Sequence, residues 1–111
     1  MIVEITAETH KSAAVLHFIG SADIAAVDQI RKTIGETMDK ACCRIVCDLS
    51  QTDFICSDAL GVFITAHEGA RAADGFVRLV HPQARIADIL ATTQLNRLFQ
   101  VYDTIDQALK A

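Results

Sequence analysis

Cys42-Cys43-Arg44-Ile45-Val46-Cys47-Asp48-Leu49 is a short apolar run, and the residues after it decide the fold. Next come Ser50-Gln51-Thr52-Asp53, then Phe54-Ile55-Cys56, then Ser57-Asp58-Ala59-Leu60-Gly61-Val62-Phe63. The first run is apolar on nearly both faces, which predicts a central strand covered by helices, with Asp48 its polar exception. Residues 50–53 read as a loop. From Ser57 to about Ala73 the apolar residues Leu60, Phe63, Ala66, Ala70 and Ala73 recur at helical spacing, with Ser57 where the N-cap should fall and Gly75 ending the helix.

On the N-terminal side, Val3, Ile5 and Ala7 alternate with Glu4 and Thr6, the period of a half-buried strand. Ala13 to Ile19 forms a second strand that stops at Gly20-Ser21, so the spacing predicts a hairpin with its turn around Glu8 to Ser12. The period then changes. Ile24, Val27, Ile30, Ile34 and Met38 trace the apolar stripe of an amphipathic helix, with Ser21 and Asp23 as candidate N-caps. On the C-terminal side, Phe76 to Val80 reads as a strand, Pro82 opens a short helix through Ile86, Ile89 and Leu90, Val101-Tyr102 is a strand and Thr104 to Lys110 a helix. The order β-β-α-β-α-β-α-β-α predicts an α/β fold: a mostly parallel mixed sheet with an N-terminal hairpin, covered by about four helices.

A chain of 111 residues has material for one core, so residues 1–111 are read as a single domain. Apolar residues make up 51% of it, yet the longest uncharged apolar stretches fall far short of the roughly 18 to 20 residues of a membrane span, and the chain reads as soluble and uncleaved. The net charge of −4, with Arg31-Lys32 the only adjacent basic pair, argues against nucleic acid, anionic membrane surfaces and polyphosphate as partners. Cysteines at 42, 43, 47 and 56 offer no zinc or redox spacing, and reduced thiols in a cytoplasm are expected.

Phosphate-binding glycine loops are absent, and His67-Glu68 has Arg71 where a zinc-protease helix would carry its second histidine. His67 therefore reads as a helix-surface residue. Histidines 10, 17 and 81 have no carboxylate or cysteine cluster nearby in sequence, and His17 reads as a satisfied sheet residue. Ser57 lacks the flanks of a nucleophile elbow. No metal, cofactor or catalytic residue is expected, and the chain is read as a non-enzyme.

Ile45-Val46-Cys47-Asp48-Leu49-Ser50 and Phe54-Ile55-Cys56-Ser57-Asp58-Ala59-Leu60-Gly61-Val62 resemble the signature of STAS domains in bacterial anti-sigma factor antagonists. The similarity extends through Ile19-Gly20-Ser21-Ala22-Asp23 and through Leu95 to Asp103, covering nearly the whole chain. The resemblance implies the STAS fold and a cytoplasmic regulator of transcription that works by partner switching. It puts the phosphorylation site on Ser57, with an anti-sigma factor that is also a serine kinase as partner and a PP2C-type phosphatase reversing the step. The partner-binding surface it implies comprises Ser21, Asp23, Cys56, Ser57, Asp58, Ala59, Leu60 and Gly61. Four positions depart from the family pattern: Cys56 for aspartate, Asp58 for serine, Ala59 for glycine, and Gln94 where glycine often precedes Leu95. A second reading is a non-phosphorylated STAS subunit of another assembly, such as a lipid-transport ATPase or a stress-signalling complex, in which Ser57 only caps its helix.

Overall fold

A computed structural model describes residues 2–10, 12–40 and 43–111. Strand β1 spans Ile2–His10 and β2 Ala13–Ala22; a 3-10 turn, Ile24–Ala26, leads into helix α1, Val27–Asp39. Then follow β3 (Arg44–Ile55), α2 (Ser57–Ala72), β4 (Phe76–Val80), α3 (Ala84–Thr92), a second 3-10 turn (Leu95–Arg97), β5 (Gln100–Tyr102) and α4 (Ile105–Lys110). The five strands lie in the order β1-β2-β3-β4-β5, antiparallel between β1 and β2 and parallel thereafter. The element order and the mixed, mostly parallel sheet are those expected from the periodicity.

Alternation along the central strands sorts the core into two faces. Leu16, Phe18, Ile45, Cys47, Leu49, Val77 and Leu79 point toward α1, α2 and α3, joining Ile30, Ile34, Phe63, Ile86 and Leu90 in the larger cluster. Phe18 and Phe63 meet there edge to face, their centroids 5.5 Å apart. Val15, Val46 and Val80 point the other way and are covered by Ala108, Ile105 and Leu109 of α4. That second cover is small, because α4 has only six residues. The face is accordingly polar at His17 and Asp48, which pair across β2 and β3.

Several local expectations are corrected. Glu8, Thr9 and His10 are not turn residues: β1 and β2 stay paired up to His10 and Ala13. Ala7 is exposed, and Val3 falls among residues whose side chains are not described. Cys42 and Lys11 likewise lie outside the described residues. Ile24 does not join the stripe of α1; it sits on the 3-10 turn and is 68% exposed. Ala73 follows α2 as its C-cap and is exposed. The helix caps also shift. Asp23 precedes the 3-10 turn and not α1, and Cys56 occupies the N-cap of α2, making Ser57 its first helical residue.

Residues 50–53 are strand and not loop, because β3 runs unbroken to Ile55. Its register against β2 slips twice, between His17 and Ile19 and between Gly20 and Ser21, so β3 carries an extra residue at each slip. Between the two slips Thr52 turns fully inward, and its hydroxyl donates to the Phe18 carbonyl at 2.8 Å. The bulge thus brings a side-chain donor to a strand carbonyl. Thr52→Val keeps the shape and removes the donor; urea denaturation is expected to show a loss of about 1–2 kcal/mol, the cost of stranding a buried acceptor. Unchanged stability would mean that the carbonyl has a second partner.

Helix α2 ends in a reciprocal pair of backbone bonds: Gly75 N–H donates to Ala70 O at 2.6 Å and Asp74 N–H to Arg71 O at 3.1 Å. The left-handed residue is Asp74, at φ 61°, and not Gly75. Glycine is required at 75 for a different reason: a Cβ there would stand 1.9 Å from the Cys43 carbonyl oxygen.

Candidate functional site

Strands β2 and β3 end side by side, and the chain turns from each into a helix at the same edge of the sheet. Cys56 N–H donates to Ala22 O at 2.9 Å, which ties the start of α2 to the end of β2. Ser57 is exposed at the first position of α2, with Asp58 exposed beside it. Leu60 is the first α2 residue whose N–H reaches back to Cys56 O, at 3.0 Å. The N–H groups of Ser57, Asp58 and Ala59 therefore stand at the positive end of the helix with no intrahelical acceptor. No side chain caps them, so the expectation that Ser57 itself serves as cap is not met.

The other residues expected at this surface divide by burial. Ser21 donates its hydroxyl to Asp53 at 2.6 Å in an exposed contact, and Gly61 is exposed. Cys56 is half-buried against the core. Ala59 is 0% and Leu60 8% exposed, so both belong to the core and anchor the helix without facing outward. Two apolar side chains at the same edge escaped the sequence reading. Ile24, which its spacing places on the stripe of α1, and Phe54, 37% exposed near the end of β3, both face solvent. The neighbour of Phe54 across the ladder is Ser21.

From Ser57 a groove of about 660 Å³ runs between α1 and α2. Its floor is apolar, with Val27, Ile34, Met38 and Val62, while Arg31 and Asp58 stand on its walls. Gly61 and Gly69 keep the α2 side low, and among these only Gly69 has a close neighbour, the Met38 methyl, 3.3 Å from where a Cβ would be.

On the opposite face of the sheet, His17 is held between two carboxylates that sequence distance concealed. Nδ1 lies 2.6 Å from Asp48 and Nε2 2.9 Å from Glu8. Partial burial pushes the His17 pKa down, but the hydrogen bonds with Glu8 and Asp48 outweigh it and the net shift from 6.5 is upward. Burial likewise pushes Asp48 up, and the Ser50 N–H and His17 together bring it below its ordinary value. The stabilisation from His17 is thus complete below about pH 6.5 and fades as pH rises through its folded-state pKa, whereas that from Asp48 is lost only in acid. A proton NMR titration is expected to place the His17 midpoint above 6.5, and Asp48→Asn to lower it. A midpoint at or below 6.5 would contradict the pairing.

His67 is 6% exposed, not on the helix surface as its isolated position suggested. Its ring lies 5.4 Å from that of Phe99, which the segment before β5 folds over α2. Among the described cysteines, Cys43, Cys47 and Cys56 are free thiols, and burial holds Cys47 far above the ordinary thiol range. No group of three or more metal-ligating side chains assembles among the described residues. Among them, no helix is long and apolar enough to cross a membrane.

The STAS domain family matches residues 4–108. A Thermotoga neapolitana protein, named as a homologue of the anti-sigma factor antagonist TM1081, is 35% identical over 75 residues; these are 68% of this chain and 66%, just under two thirds, of that protein. The crystal structure of an anti-sigma factor antagonist from Thermotoga maritima superposes with a TM-score of 0.90 at 25% identity, covering 96% of this chain and 92% of that one. SpoIIAA of Bacillus in its phosphorylated form shares the fold, with a TM-score of 0.75 at 19% identity over 96% of this chain and 97% of its own. Gln94, in the left-handed region at φ 61°, takes the backbone conformation that a glycine would adopt most readily before Leu95. With residues 4 to 108 matching the family and the whole fold superposing on an anti-sigma factor antagonist, the chain belongs to the STAS domain family.

Proposed function

We propose that this chain is an anti-sigma factor antagonist that docks an anti-sigma factor through the α2 edge, and that phosphorylation of Ser57 by that partner's kinase activity switches the complex off. The observation that carries the reading is the exposed Ser57 hydroxyl between the apolar groove and the exposed Ile24 and Phe54. A partner seated there buries apolar surface and covers Ser57 at once, so one phosphate can oppose the whole contact. Ser21, Asp23, Cys56, Asp58 and Gly61 flank that contact, while Ala59 and Leu60 hold the helix that presents it. A PP2C-type phosphatase would restore the docking form. SpoIIAA, with the same fold, is known in unphosphorylated and phosphorylated forms, which supports a switch of this kind.

Accessibility ranks the candidate hydroxyls. Thr52 is buried and engaged with Phe18, Ser50 is half-buried, and Ser57 is exposed. Peptide mapping of protein from its native cells, or after incubation with the cognate kinase and ATP, is expected to find phosphate on Ser57 alone. Stoichiometric phosphate on Ser50 with Ser57 unmodified would overturn the assignment.

A further inference from the structure

Arginines that are scattered through the sequence converge at the other edge of the sheet, where β3 and β4 begin. Arg44, Arg71, Arg78 and Arg97, four of the chain's six, line a cavity of about 540 Å³; among the described residues Asp74 is its one acidic side chain, and Ala111 at the end of α4 lines it too. The chain as a whole carries a net charge of −4, so this concentration of positive charge is a local feature. Two of the guanidinium groups are held in place: Arg44 and Arg78 lie over the Phe76 ring, 4.8 and 3.6 Å from its centroid, and Arg78 also donates to Gln100 and to Ala108 O. Arg71 and Arg97 are exposed and form no ion pair among the described residues.

A second observation comes from His67, which lines the same cavity. The residue is 6% exposed, and among the described residues neither ring nitrogen has a hydrogen-bond partner of good geometry, although the Val77 backbone lies near enough to oppose the lowering of its pKa. A neutral imidazole always carries one N–H, and a buried donor without an acceptor costs about 1–3 kcal/mol. Burial and the Arg71 charge keep the ring neutral, so it supplies a donor without needing a proton from solvent. At the C-terminal end of α2 the Ala70 carbonyl accepts from the Gly75 N–H and the Arg71 carbonyl from the Asp74 N–H, which blunts the repulsion of an anion by those two carbonyls. A tetrahedral oxyanion has lone pairs enough for guanidinium forks and an imidazole donor together.

We propose that this cavity is a binding site for a small soluble phosphate compound, held by Arg71 and Arg97 and by the His67 N–H, on the edge of the sheet away from Ser57. The site is independent of partner docking. Its occupancy ties the end of α2, the start of β4 and the segment before β5 into one rigid unit.

The test is calorimetric titration of the full chain with inorganic phosphate and with pyrophosphate, ionic strength held constant with chloride, alongside NMR of the His67 ring. Saturable binding is expected, tighter for pyrophosphate, with the His67 resonances moving along the same isotherm. Arg71→Gln combined with Arg97→Gln is expected to raise Kd at least about tenfold, since each removes charge-assisted hydrogen bonds. Lys32→Gln with Arg85→Gln, the same charge change elsewhere, is expected to leave Kd within about twofold, because exposed charges more than a Debye length away are screened. His67→Phe keeps the packing against Phe99 and is expected to weaken binding severalfold. Equal weakening by both double variants would show nonspecific charge attraction and overturn the site. So would binding to phosphatidate-containing vesicles without binding of either soluble probe, or the absence of saturable binding at millimolar concentrations of both. Circular dichroism of each variant separates lost binding from lost fold.

Discussion

Ser57→Asp is expected to weaken the complex with the cognate anti-sigma factor at least about tenfold, while Ser57→Ala binds like the native protein. The asymmetry follows from where the charge sits in each state. In the free protein the N–H groups of Ser57, Asp58 and Ala59 and the positive end of α2 accommodate a carboxylate, and a phosphate with its −1.5 to −2 charge about as well. The fold is therefore undisturbed, and both variants should give native circular dichroism. Under a docked partner the same charge must be stripped of water next to Asp58, beside the apolar Ile24, Phe54 and groove floor. An uncompensated buried charge commonly costs about 3–5 kcal/mol, and each 1.4 kcal/mol is about tenfold in affinity. Calorimetric titration of the three proteins decides the outcome. Equal affinities would leave Ser57 outside the contact and favour a STAS subunit that is not switched by phosphate.

Gly75→Ala is expected to destabilise the domain by about 2–4 kcal/mol, although it adds one methyl group at a half-buried position. The new Cβ would lie 1.9 Å from the Cys43 carbonyl oxygen and 2.6 Å from its carbon, both backbone atoms that no rotamer change can move. Relief requires separating the start of β4 from the residue preceding β3, and that breaks the bond from Phe76 N–H to Cys43 O at 2.8 Å. The loss also propagates to the Gly75 N–H bond that closes α2. Chemical denaturation with matched m-values checks the size. Gly61→Ala is the control, since nothing stands within 4 Å of its added Cβ, and in a helix alanine is favoured by up to about 1 kcal/mol.

Periodicity alone was enough for the order of elements and for the mixed sheet, because a helix and a strand bury different subsets of a sequence and Ile30, Ile34, Phe63 and Val77 can satisfy only one pattern each. The motif around Ser57 was equally legible, being contiguous in the chain. Residues 50–53 were misread because a bulge breaks the two-residue period: Thr52 is buried not for its hydropathy but because the slipped register gives its hydroxyl the Phe18 carbonyl. Ile24 looked like core since its spacing to Val27 is helical, yet the 3-10 turn rotates it into solvent. The pairing of His17 with Asp48, 31 residues away, and the meeting of Arg44, Arg71, Arg78 and Arg97 with His67 follow from strand register and from the segment carrying Phe99 across α2. Sequence by itself determined the order of strands and helices, since that depends on local spacing, but not residues 50–53 or Ile24, where a bulge and a 3-10 turn break the period. Tertiary structure decided which polar groups face one another, since charges separated by tens of residues interact only once the sheet has set their distance.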